Sequence, residues 1–187
     1  MPNYTFASVP KSKANAGRAT GKKSYIVFFH WDDIATYTRD EKGVRVTALT
    51  FAQGKKPIAV YATDSTIKMH QTSEGDDDAR GFIHHVEFEH PGTDIEIEEF
   101  VNNNINENLG AITFTCEGED CKIAGTPCQP LKMPKADSQD DKDANKHILN
   151  LATSLRGPVL GRIAKTLVPE TDNAEINGIL GLTTGGV

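Results

Sequence analysis

A chain of 187 residues with 26 Asp and Glu against 20 Lys and Arg, a net charge of -6 and a pI near 5.5, is long enough to close one hydrophobic core and too acidic for a general nucleic-acid binder. No apolar run approaches the roughly 18 residues of a membrane span, and the N-terminus lacks the apolar centre of a signal peptide. Three cysteines fit reduced thiols better than a disulfide framework, so the expectation is a single soluble domain made in a cytoplasm.

Residues 1–23 are polar and rich in Lys, Ala, Ser and Gly, with Pro2 and Pro10, and read as an arm. The acceptor pattern Asn3-Tyr4-Thr5 has no meaning without a secretory signal. AGRATGKKS, Ala16 to Ser24, resembles a phosphate loop only superficially: its spacing is one residue short, Lys23 stands where Ser or Thr would bind magnesium, and it precedes a strand instead of following one. Packed structure is expected from Ser24, with YIVFFHW as a buried strand, DDIATYT, a turn at Asp40 to Gly43, then VRVTALTF and PIAVYAT. Arms of this composition do not repay their own ordering entropy, and a surface on other copies of the chain is the expected support.

Asp64 to Arg80 is long and polar, ends in Asp76 to Asp78, and is expected to be a hairpin excursion. From Gly81 the chain turns regular. Phe82, Val86 and Phe88 alternate with Ile83, His85, Glu87 and Glu89, which predicts a half-buried strand ended by Pro91-Gly92. Thr93 and Glu96 are spaced as a capping box, Ile97, Val101, Ile105 and Leu109 recur at helical spacing, and Gly110 supplies a stop, so a helix is predicted over Thr93 to Asn108. AITFTCEG and KIAGTPCQPLKM then read as strands, Pro134 to Lys146 as a charged loop, HILNLATS and VLGRIAKTLV as the last strands, and residues 170–187 as a Gly-rich tail.

Candidate chemistry is thin. His30, Asp32 and Asp33 could be drawn as a base with carboxylates and Ser65, Ser73 or Ser154 as nucleophiles, but no motif selects among them. His84, His85 and His90 approach Cys116, Cys121 and Cys128 in sequence, and imidazoles with thiolates are what zinc selects. Their spacing matches no zinc site, and strand alternation sends His84 and His85 to opposite faces. Cys116 and Cys121 flank a turn and read as two small buried residues facing one another across a hairpin. The clusters Asp76 to Asp78 and Asp137 to Asp143 lack the pattern of a calcium loop. No catalytic residue, cofactor or metal is expected.

Taken together, the strand GFIHHVEFEHPG, helix TDIEIEEFVNNNINEN, strands AITFTCEG and KIAGTPCQPLKM, acidic DSQDDKDANK and strand KHILNLATSLRGP resemble the tail tube and related virion proteins of bacteriophages and prophages of Bacteroidetes-type hosts. The likeness runs from about Ser24 to Val168 and rests on element order and on pieces such as HPGTD, GTPCQPL and SLRGP. It implies a mainly β, α+β domain over residues 24–169, a sandwich or partly closed barrel with one flanking helix and terminal arms. It also implies rings, usually sixfold, whose sheets line a channel and which stack into a virion tube conducting genomic DNA, with other tail or neck proteins as further partners and no membrane. In that setting Asp64 to Arg80 would touch the adjoining ring. An acidic, Lys-poor face carrying Glu87 and Glu89 would line the lumen without holding DNA. A tail terminator, neck adaptor or capsid decoration protein is the first alternative, and a small-molecule or metal-binding β-domain the second.

Overall fold

A computed structural model describes residues 6–12 and 17–182. Its strands are β1 (Lys22–His30), β2 (Ile34–Arg39), β3 (Arg45–Phe51), β4 (Ile58–Tyr61), β5 (Lys68–Glu74), β6 (Gly81–Pro91), β7 (Leu109–Thr115), β8 (Asp120–Ala124), β9 (Leu131–Asp140), β10 (Asn145–Thr153) and β11 (Gly161–Ala164). Two helices, α1 (Ile95–Asn104) and α2 (Ala174–Leu180), accompany them. The fold is mainly β, as the sequence predicts.

All eleven strands belong to one hydrogen-bonded system that folds over on itself without closing into a barrel. β7 is the junction. One of its edges takes β1, with Val27 opposite Ile112, and the other takes β8, with Ile112 opposite Ile123, and then β9 at the single pair Leu109 and Leu131. One arm of the system continues from β8 through β11 to β3 and β2, with β11 and β3 parallel; the other runs from β9 through β10 and β6 to β5. β4 lies on the far side of β1.

The apolar run Ile26-Val27-Phe28-Phe29 shows why the layers stack this way. Period-two alternation sends Ile26 and Phe28 into one core and Val27 and Phe29 into another, so β1 is buried on both faces and has no polar side. The first core lies under β6 and β10, with Val86, Phe88, Leu149 and Leu151, and is covered at one margin by Ile97 and Phe100 of α1. The second gathers Val46, Ile112, Phe114, Ile123 and Ile163 with Leu180 and Leu182 from the C-terminal segment.

Several boundaries differ from expectation. α1 begins at Ile95 with Asp94 as its N-cap, so the Thr93 and Glu96 box does not form, and Asn104 is its last residue. The buried stripe is Ile97, Phe100 and Asn104, while Leu109 already belongs to β7. Gly110 is therefore a strand residue and not a helix stop. The ring of Phe29 lies against it where a side chain would stand, and this close approach is what demands glycine. KIAGTPCQPLKM is two strands, β8 and β9, separated by a turn in which Thr126 Oγ1 donates to Gln129 Oε1 and accepts from Gln129 N–H.

Pro134 to Lys146 is no loop. It is mostly the outer half of the β9–β10 hairpin, whose turn is closed by Asp141 Oδ1 accepting from the amides of Asp143 and Ala144. Both faces there are exposed, so polar residues fill a true strand pair. Residues 170–182 are not a tail outside the domain either. Asn173 caps α2 by accepting from the amides of Glu175 and Ile176, Gly181 ends it in the left-handed region at φ 71°, and Leu180 is fully buried. Residues 183–187, and the Asn3 to Thr5 pattern, lie outside the described residues.

Candidate assembly surfaces

The residues considered for catalysis do not converge. Trp31–Asp33 form a single 3-10 turn, which drives Trp31 into the second core and spreads its neighbours. Asp33 pairs with Lys55 at 2.9 Å, and His30 Nδ1 instead faces Glu107 at 3.7 Å. Ser65 lies in a 3-10 turn at Asp64–Thr66, Ser73 on β5 and Ser154 in a bend after β10, and among the described residues no histidine hydrogen-bonds any of them.

The histidines and cysteines are also dispersed. His84 is 2 % exposed; its Nδ1 accepts from the Gly125 amide at 3.0 Å, which requires the proton on Nε2, and Nε2 donates to the Pro158 carbonyl at 2.8 Å. Burial lowers its pKa, and the nearby Arg39 adds to that, so His84 is a neutral structural link between β6 and two loops. His85 points the other way, stacks on His70 with ring centres 4.8 Å apart and hydrogen-bonds Thr72 Oγ1. His90 Nδ1 donates to the Tyr61 carbonyl. Cys121 is buried and its thiol pKa is pushed up to about 11 by desolvation, whereas Cys116, expected to be buried across the hairpin from it, is exposed, as is Cys128. Among the described residues no three metal-ligating side chains of this kind gather.

What the fold does present is unfinished sheet: among the described residues β2, β4 and β5 each pair on one side, and β9 beyond Leu131 pairs only with β10. Open edges invite a further strand. Two are partly blunted: the β2–β3 register shifts twice, and Pro134, which has no N–H to offer, sits in β9. β4 carries neither device, but it is only four residues long and the Tyr61 carbonyl on its outer edge is already taken by His90 Nδ1.

Asp64 to Arg80, expected as one long loop, is for the most part structure. After the 3-10 turn comes β5, paired with β6 from Lys68 opposite Glu87 to Glu74 opposite Gly81, and only Gly75 to Arg80 form the turn. Arg156 Nη1 fastens that turn by donating to the Ala79 carbonyl at 2.9 Å. The β9–β10 turn lies beside Pro91, at the other end of β6. The eleven residues of β6 therefore hold two Asp-bearing turns about 36 Å apart, facing opposite ways.

The Glu87 and Glu89 face is not Lys-poor, contrary to expectation. Lys68 approaches Glu87 at 3.6 Å and Lys146 bonds Glu89 at 2.9 Å, because neighbouring strands bring opposite charges into register. The face is polar and paired. A second feature went unseen in the sequence: between β4 and α1 lies a mainly apolar groove of about 310 Å³, lined by Ile58, Val60, Tyr61, Ile97 and Phe100, with His90, Asp94 and Glu96 as its polar members. Only pairing β4 to β1 and laying α1 beside it brings these residues together.

Compared with protein-family models, with curated proteins and with solved structures, the chain matches none of them.

Proposed function

We propose that this chain is a virion structural protein, a tail tube subunit whose copies close into rings and stack around a DNA-conducting channel. The observation that carries the reading is the set of open strand edges on a double-cored sandwich, above all that of β4. A ring of copies completes such edges by pairing each with a neighbour, which removes the aggregation hazard of an isolated monomer. The sequence resemblance supports the same choice through the elements the fold retains, the long strand Gly81–Pro91, the helix after it and the strand Leu109–Thr115.

Two further features fit. We read the Asp-bearing turns at opposite ends of β6, Gly75 to Arg80 on one side and Asp141 to Ala144 on the other, as the contacts to the rings above and below. The face of β5, β6 and β10 is assigned to the lumen: with Glu87 and Glu89 already engaged by Lys68 and Lys146, it offers phosphates no free row of cations and lets DNA pass. Negative-stain electron microscopy of the purified protein tests the proposal. Hollow fibres built of stacked rings are expected. Rings that never stack would move the assignment to a neck adaptor or terminator, and a monomer at high concentration would end it.

A further inference from the structure

Charge is segregated along this chain to an unusual degree. The first 31 residues contain five Lys and Arg and no Asp or Glu, while Gly81 to Cys121 contain ten Asp and Glu and no Lys or Arg. The basic stretch is the N-terminal arm together with β1, at whose start Lys22 and Lys23 lie. The acidic stretch includes α1, whose first turn carries Glu96 and Glu98 just after Asp94.

The arm also carries apolar side chains with nothing to rest on. Phe6 and Val9 are fully exposed, and residues 6–12 make no hydrogen bond to other described residues. On the body of the protein the opposite deficit exists. The groove between β4 and α1 has an apolar floor of Val60, Ile97 and Phe100, exposed Ile58 and Tyr61 on its wall, and a rim of Asp94 and Glu96. It adjoins a smaller hollow of about 80 Å³ at Ile58, Phe28 and Leu109. β4 beside it has an unpaired edge.

Resting on the assembly reading above, we infer that the N-terminal arm of one copy seats in the β4–α1 groove of the next. Phe6 and Val9 fill the apolar floor, the extended backbone runs along the free edge of β4, and Lys11 meets Glu96 at the rim. The chemistry is strand addition with an aromatic anchor and matched charge. Reach permits it: the arm leaves its own body at Ala19 to Lys22, beside Asp64 and Ser65, and the stretch from Phe6 to Thr20 spans on the order of 45 Å when extended. The contact is head to tail, so each copy gives one arm and receives one, as a closed ring requires.

Complementation between two full-length variants tests this. Phe6→Asp with Val9→Asp spoils the arm and leaves the groove; Ile58→Asp with Glu96→Lys spoils the groove and leaves the arm. All four positions are exposed, and circular dichroism and thermal melting verify that both variants fold. By sedimentation, each variant alone should associate at least about ten- to hundredfold more weakly than the parent, the worth of burying one large apolar side chain. A one-to-one mixture should give dimers and nothing larger, since it contains one intact arm and one intact groove per pair.

Variants that assemble like the parent overturn the inference and leave the ring reading standing. A mixture that stays monomeric overturns it too, because the arm then acts in its own chain or on another surface. A parent that never assembles removes both. Should a variant fail to fold, the pair Lys11→Glu and Glu96→Lys serves instead: each alone should weaken association about three- to fivefold and the two together in one chain restore it. Additive losses in that double variant overturn the inference.

Discussion

Replacing Leu180 with Ala tests whether the C-terminal segment belongs to the fold. Leu180 is 0 % exposed and shares the second core with Val27, Ile112, Phe114 and Ile163. Removing three buried carbons from such a site costs the lost transfer energy and leaves a cavity that β-strands on two sides cannot collapse into, about 3 kcal/mol in all. For a domain of this size that lowers the melting temperature by about 9 °C. Ile179, one residue earlier on the exposed side of α2, is the control: Ile179→Ala should stay within about 0.5 kcal/mol of the parent. Urea unfolding at low protein concentration, where the monomer is measured, reads both. If Leu180→Ala unfolds at the parent's midpoint, α2 is not part of the cooperative unit and the second core ends at Val168.

Acidification should destabilise the monomer. His84 has its pKa lowered in the folded state, so between that value and the ordinary histidine value near 6.5 the unfolded chain binds more protons, and stability is lost as pH falls through that window. His84→Gln should flatten the slope in a pH series of urea midpoints without abolishing it, because the pKa of His85 is also lowered. Gly110→Ala should cost about 1–3 kcal/mol by chemical denaturation, as the Phe29 ring occupies the space its methyl group needs; no loss would mean the ring is free to turn aside. An Ellman titration of the native protein should find Cys116 and Cys128 quickly and Cys121 only after unfolding; three fast thiols would contradict the burial of Cys121. Shortening only the Gly75 to Arg80 turn, with β5 intact, should leave rings but weaken stacking; unchanged tubes would show that this turn is not the ring-to-ring contact.

Sequence reading succeeded where burial imposes a pattern. β1 is legible because both of its faces are buried, which leaves an unbroken apolar run, and β6 because its buried residues alternate with charged ones. It failed where burial is absent. Apart from Met69, which reaches the first core, β5 is exposed on an edge like the outer half of β9, so KMHQTSE and KADSQD carry the polar composition of loops although their backbones are paired. In α2 the signals were present but short: Asn173 and Gly181 bracket seven residues, and only tertiary packing shows that Leu180 is core. The helix stop at Gly110 was misjudged because the aromatic ring that demands this glycine comes from a strand eighty-one residues earlier in the chain, Phe29. The groove between β4 and α1 is invisible in sequence for the same reason, being made by long-range pairing.

That long-range pairing also sets an order of events during synthesis. β1 leaves the ribosome early, finds β4 on one edge soon afterwards, and has no partner for its other edge until Ile112 and its neighbours emerge. At roughly 5–20 residues per second, the delay between Val27 and Ile112 is about 4–17 s. For that interval a strand apolar on both faces stays half-paired beside a growing chain. On a crowded polysome many such strands wait side by side, and slow, cool expression should raise the yield of correctly folded chain.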